Sequence, residues 1–361
     1  MAKIAIVALF GITVAIGVAA KTPKTAALEG LDPVLLTEGQ EVPGKDSISL
    51  AHGRFLYHFS TEETRTRFQS DPDRYSIQLD AACARMGAPV VGSADAYFVY
   101  NHRIYVFGSS ECYKRFSANP KKYLESEQPK PAWNPTAESR AKGKELLKKT
   151  LEAMGGSTRW DGVASYAETR HAQGPAGPLT IRFAAKPPDS LISETIAGDR
   201  AFGTLVTPQQ VLAFFQGVGR RLPASFGRAI LANSQRDVLP LLLNGRAPGF
   251  EVYYAGRAGK TDRLQVNDQG RISTLWRDPE SGKITAIEWR GTSPGGYVTY
   301  HVAYSDYRAA GGLQLPFRAE GSAEGSDEPL PPGRSWTVES YELNPTDIEA
   351  RLRPLVKIAE Q

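Results

Sequence analysis

The chain has 361 residues, of which 41% are hydrophobic and 23% charged, with a formal net charge of +4 at pH 7. The length predicts two to three domains of ordinary globular composition. Basic and acidic residues nearly balance, which excludes the strongly basic class of nucleic-acid-binding proteins and gives no overall argument for an anionic membrane surface.

Residues 1–20 have the pattern of a signal peptide. Lys3 supplies the positive start, Ile4 to Val18 the apolar stretch, and Val18-Ala19-Ala20 a small-residue cleavage site. An uncleaved anchor is the alternative, but the apolar stretch is shorter than the roughly 20 residues that a spanning helix needs. The pattern therefore predicts a soluble, exported protein located in the periplasm.

A sequence unit occurs twice, with a constant offset in residue number between its two copies. The first copy contains Tyr57-His58-Phe59-Ser60, Arg67-Phe68, Pro72 and Tyr75, and the second contains Tyr105-Val106-Phe107-Gly108, Arg115-Phe116, Pro120 and Tyr123. Such a repeat predicts one supersecondary unit built twice. Each copy predicts a short strand and a short helix, with bounds Arg54–Phe59 and Glu62–Gln69, then His102–Phe107 and Glu111–Ser117.

The repeated unit resembles the YHS domain, a small family often attached to proteins that handle heavy metals. The likeness covers about residues 27–125. It is carried by Gly30 to Val34, Phe59-Ser60, Phe68, Asp71 to Tyr75 and Cys83-Ala84, and in the second copy by Tyr105, Phe107, Cys112, Phe116 and Pro120 to Tyr123. Metal-binding relatives often carry Phe-Cys-x-x-x-Cys. Here Gly108 follows Phe107, so the first thiol of that pattern is absent.

Cys83 and Cys112, both in the repeated module, are the only cysteines of the chain. In an oxidising compartment two such residues predict one disulfide. The alternative is a soft-metal site for copper or zinc, to which Met86, His58 and His102 of the same module could contribute. Both interpretations stay open on the sequence.

A Pro-rich segment, 126–135, predicts a semi-rigid linker to a second domain at 136–345, with 346–361 as a C-terminal tail. Thr136 is expected to cap a helix that runs to Met154 and ends at Gly155-Gly156. Short strands joined by tight turns follow between Ser165 and Leu343, which predicts one curved antiparallel sheet. The chain is therefore α+β: a small repeated module followed by an unclosed antiparallel β-barrel.

Pro208 to Gly245 interrupts the strands with a very apolar segment that reads as helical. The pattern predicts a helical lid over the concave face of the sheet, enclosing an apolar cavity. The residues expected to line it are Phe214, Phe215, Phe226, Leu241, Leu242 and His301. A fully packed core of the same residue types is the alternative.

Residues 136–345 resemble the periplasmic lipoprotein-carrier (LolA/LolB-like) fold. The likeness is carried by Met154-Gly155-Gly156, by the segment from Leu205 to Leu243, and by Tyr304 to Arg308 leading into Gly311 to Pro316. It implies an unclosed barrel with a helical lid, and a lipid or a lipidated protein as partner.

The sequence contains no convincing catalytic motif. Gly291-Thr292-Ser293-Pro294-Gly295 matches the Gly-x-Ser-x-Gly pattern of hydrolases, but Pro294 has no backbone N–H to donate to an oxyanion. The sequence favours an exported, non-catalytic binding protein for an apolar or lipid-like ligand, with metal binding or docking in the first module. The alternatives are a metal-dependent oxidoreductase or metal-handling protein using Cys83 and Cys112, and a purely structural envelope protein.

Overall fold

The computed structural model describes residues 26–326, 328, 333–354 and 356–358. The predicted signal peptide lies outside this part of the chain. None of the helices within the described residues has the length and apolar character needed to cross a bilayer.

The first part of the chain contains the two repeat units. Its elements are α1 (Pro33–Thr37), β1 (Lys45–His52), β2 (Phe55–Phe59), α2 (Glu62–Ser70), α3 (Pro72–Tyr75), β3 (Ser93–Tyr100), β4 (Arg103–Phe107) and α4 (Ser110–Ala118). In each unit an antiparallel hairpin precedes a helix. The predicted strands and helices are confirmed to within one residue at each end.

The two repeat helices begin in the same way. The hydroxyl of Thr61 accepts a hydrogen bond from the backbone N–H of Thr64, and the hydroxyl of Ser109 accepts one from Cys112. Each cap satisfies a backbone donor that has no partner inside its helix. The sequence repeat therefore extends to the caps that fix where α2 and α4 start.

The Pro-rich segment lies against the second part of the chain. Arg290 donates a hydrogen bond to the Pro129 carbonyl at 2.8 Å, and the Trp133 ring meets Tyr253 edge-on at 4.8 Å between centroids. After it come α5 (Ala137–Ala153) and α6 (Ser157–Asp161). Thr136 caps α5, as predicted.

One curved, unclosed antiparallel sheet of fourteen strands forms the second part, as the strand pattern predicted. Its strands are β5 (Tyr166–Gly174), β6 (Gly177–Lys186), β7 (Ser190–Ala197), β8 (Arg200–Thr207), β9 (Gln210–Phe215), β10 (Val218–Arg221), β11 (Phe250–Ala258), β12 (Thr261–Asp268), β13 (Arg271–Arg277), β14 (Ile284–Ser293), β15 (Gly296–Ala310), β16 (Leu313–Glu324), β17 (Trp336–Leu343) and β18 (Lys357–Ile358). The helices α7 (Ala224–Ser234), α8 (Val238–Asn244) and α9 (Ile348–Arg351) complete it.

The strand order is β11 to β17 in sequence, then β5 to β10, then β18. β5, the first of these strands along the chain, thus pairs with β17, which comes late in the chain. Among the described residues, two pairs join β16 and β17, Arg318 with Thr337 and Ala319 with Trp336. Only β18 runs parallel to its neighbour, β10.

The main core lies between the sheet and α8, and we call the side of the sheet that α8 covers the inner face. All seven residues of α8 are buried. They pack with inward residues of the strands such as Leu264, Tyr300 and Leu315. The opposite side, the outer face, is covered in part by the C-terminal segment, residues 345–354 and 356–358, where Leu352 packs on Leu205 and Leu212.

The prediction that Pro208 to Gly245 is helical throughout was wrong for its first third, which forms β9 and β10. Val211 packs against Phe226 of α7 on the inner face, while Leu212 packs against Leu352 on the outer face. Because both faces are covered, successive residues are apolar, and the alternation that marks a half-exposed strand is lost.

The two parts of the chain meet through a buried arginine. Arg85, 7% exposed, donates to both carboxylate oxygens of Glu328 at 2.7 and 2.9 Å and to the Pro294 carbonyl at 3.1 Å. A second contact is apolar: Ala82 of the first part belongs to the cluster that also holds Phe226. The domain boundaries at 126–135 remain a prediction.

Candidate functional site

The inner face was expected to hold a ligand, but α8 fills it. Leu241 and Leu242 are 3% and 2% exposed and belong to the main core. Beside α8, only about 10 Å³ of space lies next to Tyr166, Leu231 and Pro240. That volume holds at most one water molecule. The lid-like helix therefore packs against the sheet at this point and leaves no room there for a lipid.

A charged network lies under the start of α8. Glu168 and Arg170 project from the same face of β5, and the Arg170 guanidinium donates to the carboxylates of Glu168 and Asp237. The guanidinium also lies over the rings of Trp336 at 4.4 Å and Phe183 at 4.7 Å. Asp237 additionally accepts the backbone N–H of Val238 at 2.7 Å and so caps α8.

Burial controls ionisation in this network. Burial raises the pKa of the Glu168 carboxyl, which is 3% exposed as a residue and shares one guanidinium with a second carboxylate. Burial lowers the pKa of Arg170, but contact with Glu168 and Asp237 outweighs it and holds the pKa well above its ordinary value. The charges satisfy one another, so the network fixes α8 on the sheet.

Four tyrosines surround this network, namely Tyr166, Tyr304, Tyr307 and Tyr341. Burial raises the pKa of all four phenols. They therefore stay neutral at physiological pH, and two of them donate hydrogen bonds to backbone carbonyls. Tyr341 donates to the Pro316 carbonyl at 2.8 Å, and Tyr307 donates to the Ile284 carbonyl.

A pocket of about 560 Å³ lies on the outer face, between strands β5 to β9 and the C-terminal segment. Small and apolar side chains form much of its wall: Ala167, Ala184, Ile192, Ala201, Phe214 and Val356. Ligand pockets in proteins measure roughly 300–1,000 Å³ and are mostly apolar. We call this space the outer pocket; its size and its walls suit a ligand with an apolar chain.

Charged side chains stand around the outer pocket. Arg351 donates to both oxygens of Glu342 at 2.9 and 2.8 Å, and Arg182 lies 3.7 Å from Glu194. Hydrogen bonds from Arg351 to Glu342 and Asp347 raise the pKa of the Arg351 guanidinium. These paired charges combine with the apolar wall, so the outer pocket can accept an amphipathic molecule.

A second, open groove of about 880 Å³ lies elsewhere on the outer face. His301 of β15 and His171 of β5 line it, and each imidazole lies near a carboxylate: His171 Nε2 is 2.9 Å from Glu339 and His301 Nδ1 is 3.9 Å from Glu288. Both side chains are nearly half exposed. The groove is open to solvent, and the sheet separates it from α8.

The six predicted cavity residues do not meet in one cavity. Phe214 lines the outer pocket, Phe215 projects half-exposed from the opposite face of β9, and His301 lines the open groove. Phe226 packs in a satellite cluster under α7, and only Leu241 and Leu242 share a cluster. The error arose because a segment taken as one helix contains two strands whose residues point to opposite faces.

The predicted metal-ligating residues are dispersed. His58 belongs to the first repeat and lies 3.1 Å from Asp46, while Nδ1 of His102 lies 3.0 Å from the Thr37 carbonyl. Met86 is 36% exposed. The described residues contain no group of three or more His, Cys, Asp or Glu side chains that could hold a metal ion. These residues do not fit a copper or zinc site.

Cys83 and Cys112 lie in one apolar cluster of the second repeat, and both are buried, unbonded thiols. Burial raises the pKa of the Cys83 thiol, which disfavours the thiolate that metal binding and nucleophilic chemistry require. Arg85 approaches Cys112 Sγ at 3.8 Å. The disulfide between them remains a prediction.

The sequence held signals for the features that were missed. Tyr166, Glu168 and Arg170 lie at i, i+2 and i+4, the spacing of one strand face, so opposite charges beside an aromatic residue pointed to a buried pair. Leu352 and Val356 gave the supposed tail an apolar side that could cover the sheet. Neither pattern reveals which strand lies opposite.

No protein-family model and no curated protein matches this chain. Solved structures that resemble it include a domain named for outer membrane lipoprotein sorting from Vibrio parahaemolyticus (11% identity, 59% of this chain and 98% of that chain, TM-score 0.34). A LolA superfamily protein from Nitrosomonas europaea has 14% identity, 57% and 96% coverage and a TM-score of 0.36. A DUF1329 family protein from Desulfovibrio piger has 12% identity, covers 58% of this chain and 98% of its own, and has a TM-score of 0.35. At this distance the similarity does not assign a function to this chain.

Proposed function

We propose that this chain is an exported, non-catalytic binding protein that holds an amphipathic, lipid-like ligand in the outer pocket. The observation that carries the proposal is the combination of about 560 Å³ of space, an apolar wall that includes Ile192 and Phe214, and charged groups beside it. Apolar burial supplies most of the affinity for such a ligand, and the charged groups orient its polar end.

The proposed position differs from that of a ligand under a helical lid. The inner face is filled by α8, whereas the outer pocket is closed by the C-terminal segment through Pro354 and Val356. The segment packs on the sheet through one small cluster around Leu352, whereas α8 belongs to the main core, so the segment can separate at lower cost than α8. Ligand entry on this side is therefore compatible with an intact core.

The N-terminal module is proposed as a docking unit rather than a metal site. Its resemblance to the YHS domain rests on sequence alone, and its candidate metal ligands are dispersed. Arg85 of this module donates hydrogen bonds to Glu328 and to the Pro294 carbonyl, and so joins the module to the sheet. Export to the periplasm is proposed from the pattern of residues 1–20.

The test fills the outer pocket. Ala201 is half-buried on the outer face of β8 and lines the pocket. Replacing it by Trp (Ala201→Trp) puts an indole where the ligand chain would lie. We expect the full chain to bind a fluorescent fatty acid, measured by fluorescence titration, and the variant to bind it at least about tenfold more weakly, or ~1.4 kcal/mol.

The matched control is Ala303→Trp, at a half-buried alanine that lines the open groove beside His301. It adds the same indole to the same face of the sheet outside the outer pocket, and it should leave the titration unchanged. Loss of binding in Ala303→Trp with normal binding in Ala201→Trp would move the site to the groove. A wild-type chain that binds no probe would contradict the proposed function.

A further inference from the structure

A row of exposed side chains crosses four neighbouring strands at one end of the sheet. Phe202 of β8 pairs with Phe215 of β9, Phe215 with Val218 of β10, and Val218 with Lys357 of β18. Residues paired in this way project from the same face of a sheet. Phe202, Phe215 and Val218 are 42%, 51% and 53% exposed. We call these three residues and Lys357 the exposed row.

Cationic side chains flank the exposed row on the same face. Arg200 lies two residues before Phe202, and Arg220 lies two residues after Val218, so alternation along each strand puts both beside the row. The side chains of Arg200, Arg220 and Lys357 make no ion pair within the described residues. Asp199, in the turn before Arg200, is the acidic residue next to them.

We infer that the exposed row docks this protein on an anionic lipid surface. Aromatic and aliphatic side chains that stand out of a sheet can enter the headgroup and acyl boundary, while neighbouring Arg and Lys attract anionic headgroups. The balanced net charge of the chain does not produce this attraction. Among the described residues, the local excess of three cations over one carboxylate does, because surface charge acts only within about 10 Å in salt.

The position at the end of the sheet suits contact with a surface. The turns between β7 and β8 and between β9 and β10 lie at that end, so nothing in these two hairpins projects far beyond the row. Ala201 and Gly217, which line the outer pocket, are chain neighbours of Phe202 and Val218. A docked protein would therefore bring the outer pocket close to the lipid, although docking does not depend on that pocket.

The experiment measures co-flotation of the chain with vesicles of phosphatidylcholine alone and with vesicles containing one quarter phosphatidylglycerol. Every variant is purified in the same way and its intact mass measured, so residues 1–20 are equally present or absent in all of them. We expect binding to the anionic vesicles, weakening as salt is raised, and little binding to the neutral ones.

The apolar part of the row is tested with the double variant Phe202→Ser/Phe215→Ser. We expect at least about a tenfold loss of partition, because two phenyl groups no longer enter the lipid. The control is Leu79→Ser in the repeated module. Leu79 is 50% exposed, similar to Phe215, and its variant should bind like the wild type. Urea unfolding midpoints establish that the variants are folded.

The charged part is tested with Arg200→Gln and Lys357→Gln, each expected to weaken binding to anionic vesicles about fivefold. The control Lys144→Gln removes an exposed cation of α5 and should have no effect. Equal binding by all variants, or no binding by the wild type, would overturn the inference and leave the row as a protein contact. Normal fatty-acid titration in the vesicle-deficient variants would separate this outcome from failure of the proposed function.

Discussion

At the scale of single residues, the buried network of Glu168, Arg170 and Asp237 is the most consequential arrangement. We expect Asp237→Ala to reduce the free energy of unfolding by about 3–5 kcal/mol, because it leaves Arg170 buried with one partner fewer. It also removes the cap of α8, which alone contributes about 1 kcal/mol. Urea denaturation followed by tryptophan fluorescence would measure the loss.

The control for this variant is Asp306→Ala. Asp306 also pairs with an arginine, Arg308, but both side chains are well exposed. Exposed pairs contribute about 0–1 kcal/mol, so its unfolding midpoint should hardly change. Equal effects of the two substitutions would mean that the Asp237 pair is not buried in solution. Asp237→Asn, which retains a capping oxygen, should fall between the two.

At the scale of elements, the C-terminal segment is predicted to stabilise the far strands of the sheet. Leu352 is 6% exposed and packs on Leu205 and Leu212. Leu352→Ala should reduce the free energy of unfolding by about 2 kcal/mol, the lower end for a buried leucine, since the site lies at the edge of the core. Hydrogen exchange should accelerate in β10 and β18.

Ile358→Ala provides the comparison within the same segment. Ile358 is 41% exposed, so shortening it should change the unfolding free energy by no more than about 0.5 kcal/mol. If Leu352→Ala exchanges as slowly as the wild type in β10 and β18, the segment does not hold these strands. A large effect of Ile358→Ala alone would place the stabilising contact at β18 instead.

The elements also show what the sequence could predict. Regular sequence patterns predicted several helices correctly. The repeat with its caps predicted α2 and α4. Thr136 and Gly155-Gly156 predicted the start and the end of α5, and both glycines have positive φ. Val211 and Leu212 misled because the sheet is covered on both faces there. Whether an apolar run has period 2 or 3.6 cannot be decided when neither face contacts water.

The candidate site was less accessible from the sequence than the fold. Phe214 was predicted to line a cavity under a helical lid. It lines the outer pocket, whose wall is completed by Ile192 and by Val356 of a segment expected to be a tail. Such contacts depend on which strand lies opposite and on which face each residue points. Local sequence patterns contain neither the pairing of the strands nor the face of each residue. The pocket could therefore be identified only once the register of the sheet was known.

At the scale of the whole molecule, Arg85 is expected to couple the two parts of the chain. The Pro-rich segment predicted a linker between two domains, which would unfold in separate transitions. The buried contacts of Arg85 with Glu328 and Pro294 predict a single calorimetric transition instead. Arg85→Ala should split that transition in two, because among the described residues Glu328 keeps only its exposed partner, Arg115.

Arg115→Ala is the matched control, since it removes the other arginine from the same carboxylate. Its side chain is 46% exposed, so the transition should stay single and shift little. Two transitions in the wild-type chain would contradict the coupling and support the separate modules that the Pro-rich segment predicted.

The pairing of β5 with β17 has a consequence for synthesis. The ribosome synthesises β5 to β10 before β17. Until β17 is made, the backbone N–H and C=O groups on one edge of β5 have no strand to pair with. An unpaired strand edge is a template for association with other chains, and long-range pairing closes slowly. The sheet therefore cannot be completed until residues 336–343, in the last tenth of the chain, have emerged. Until then the free edge of β5 needs protection from association with other chains.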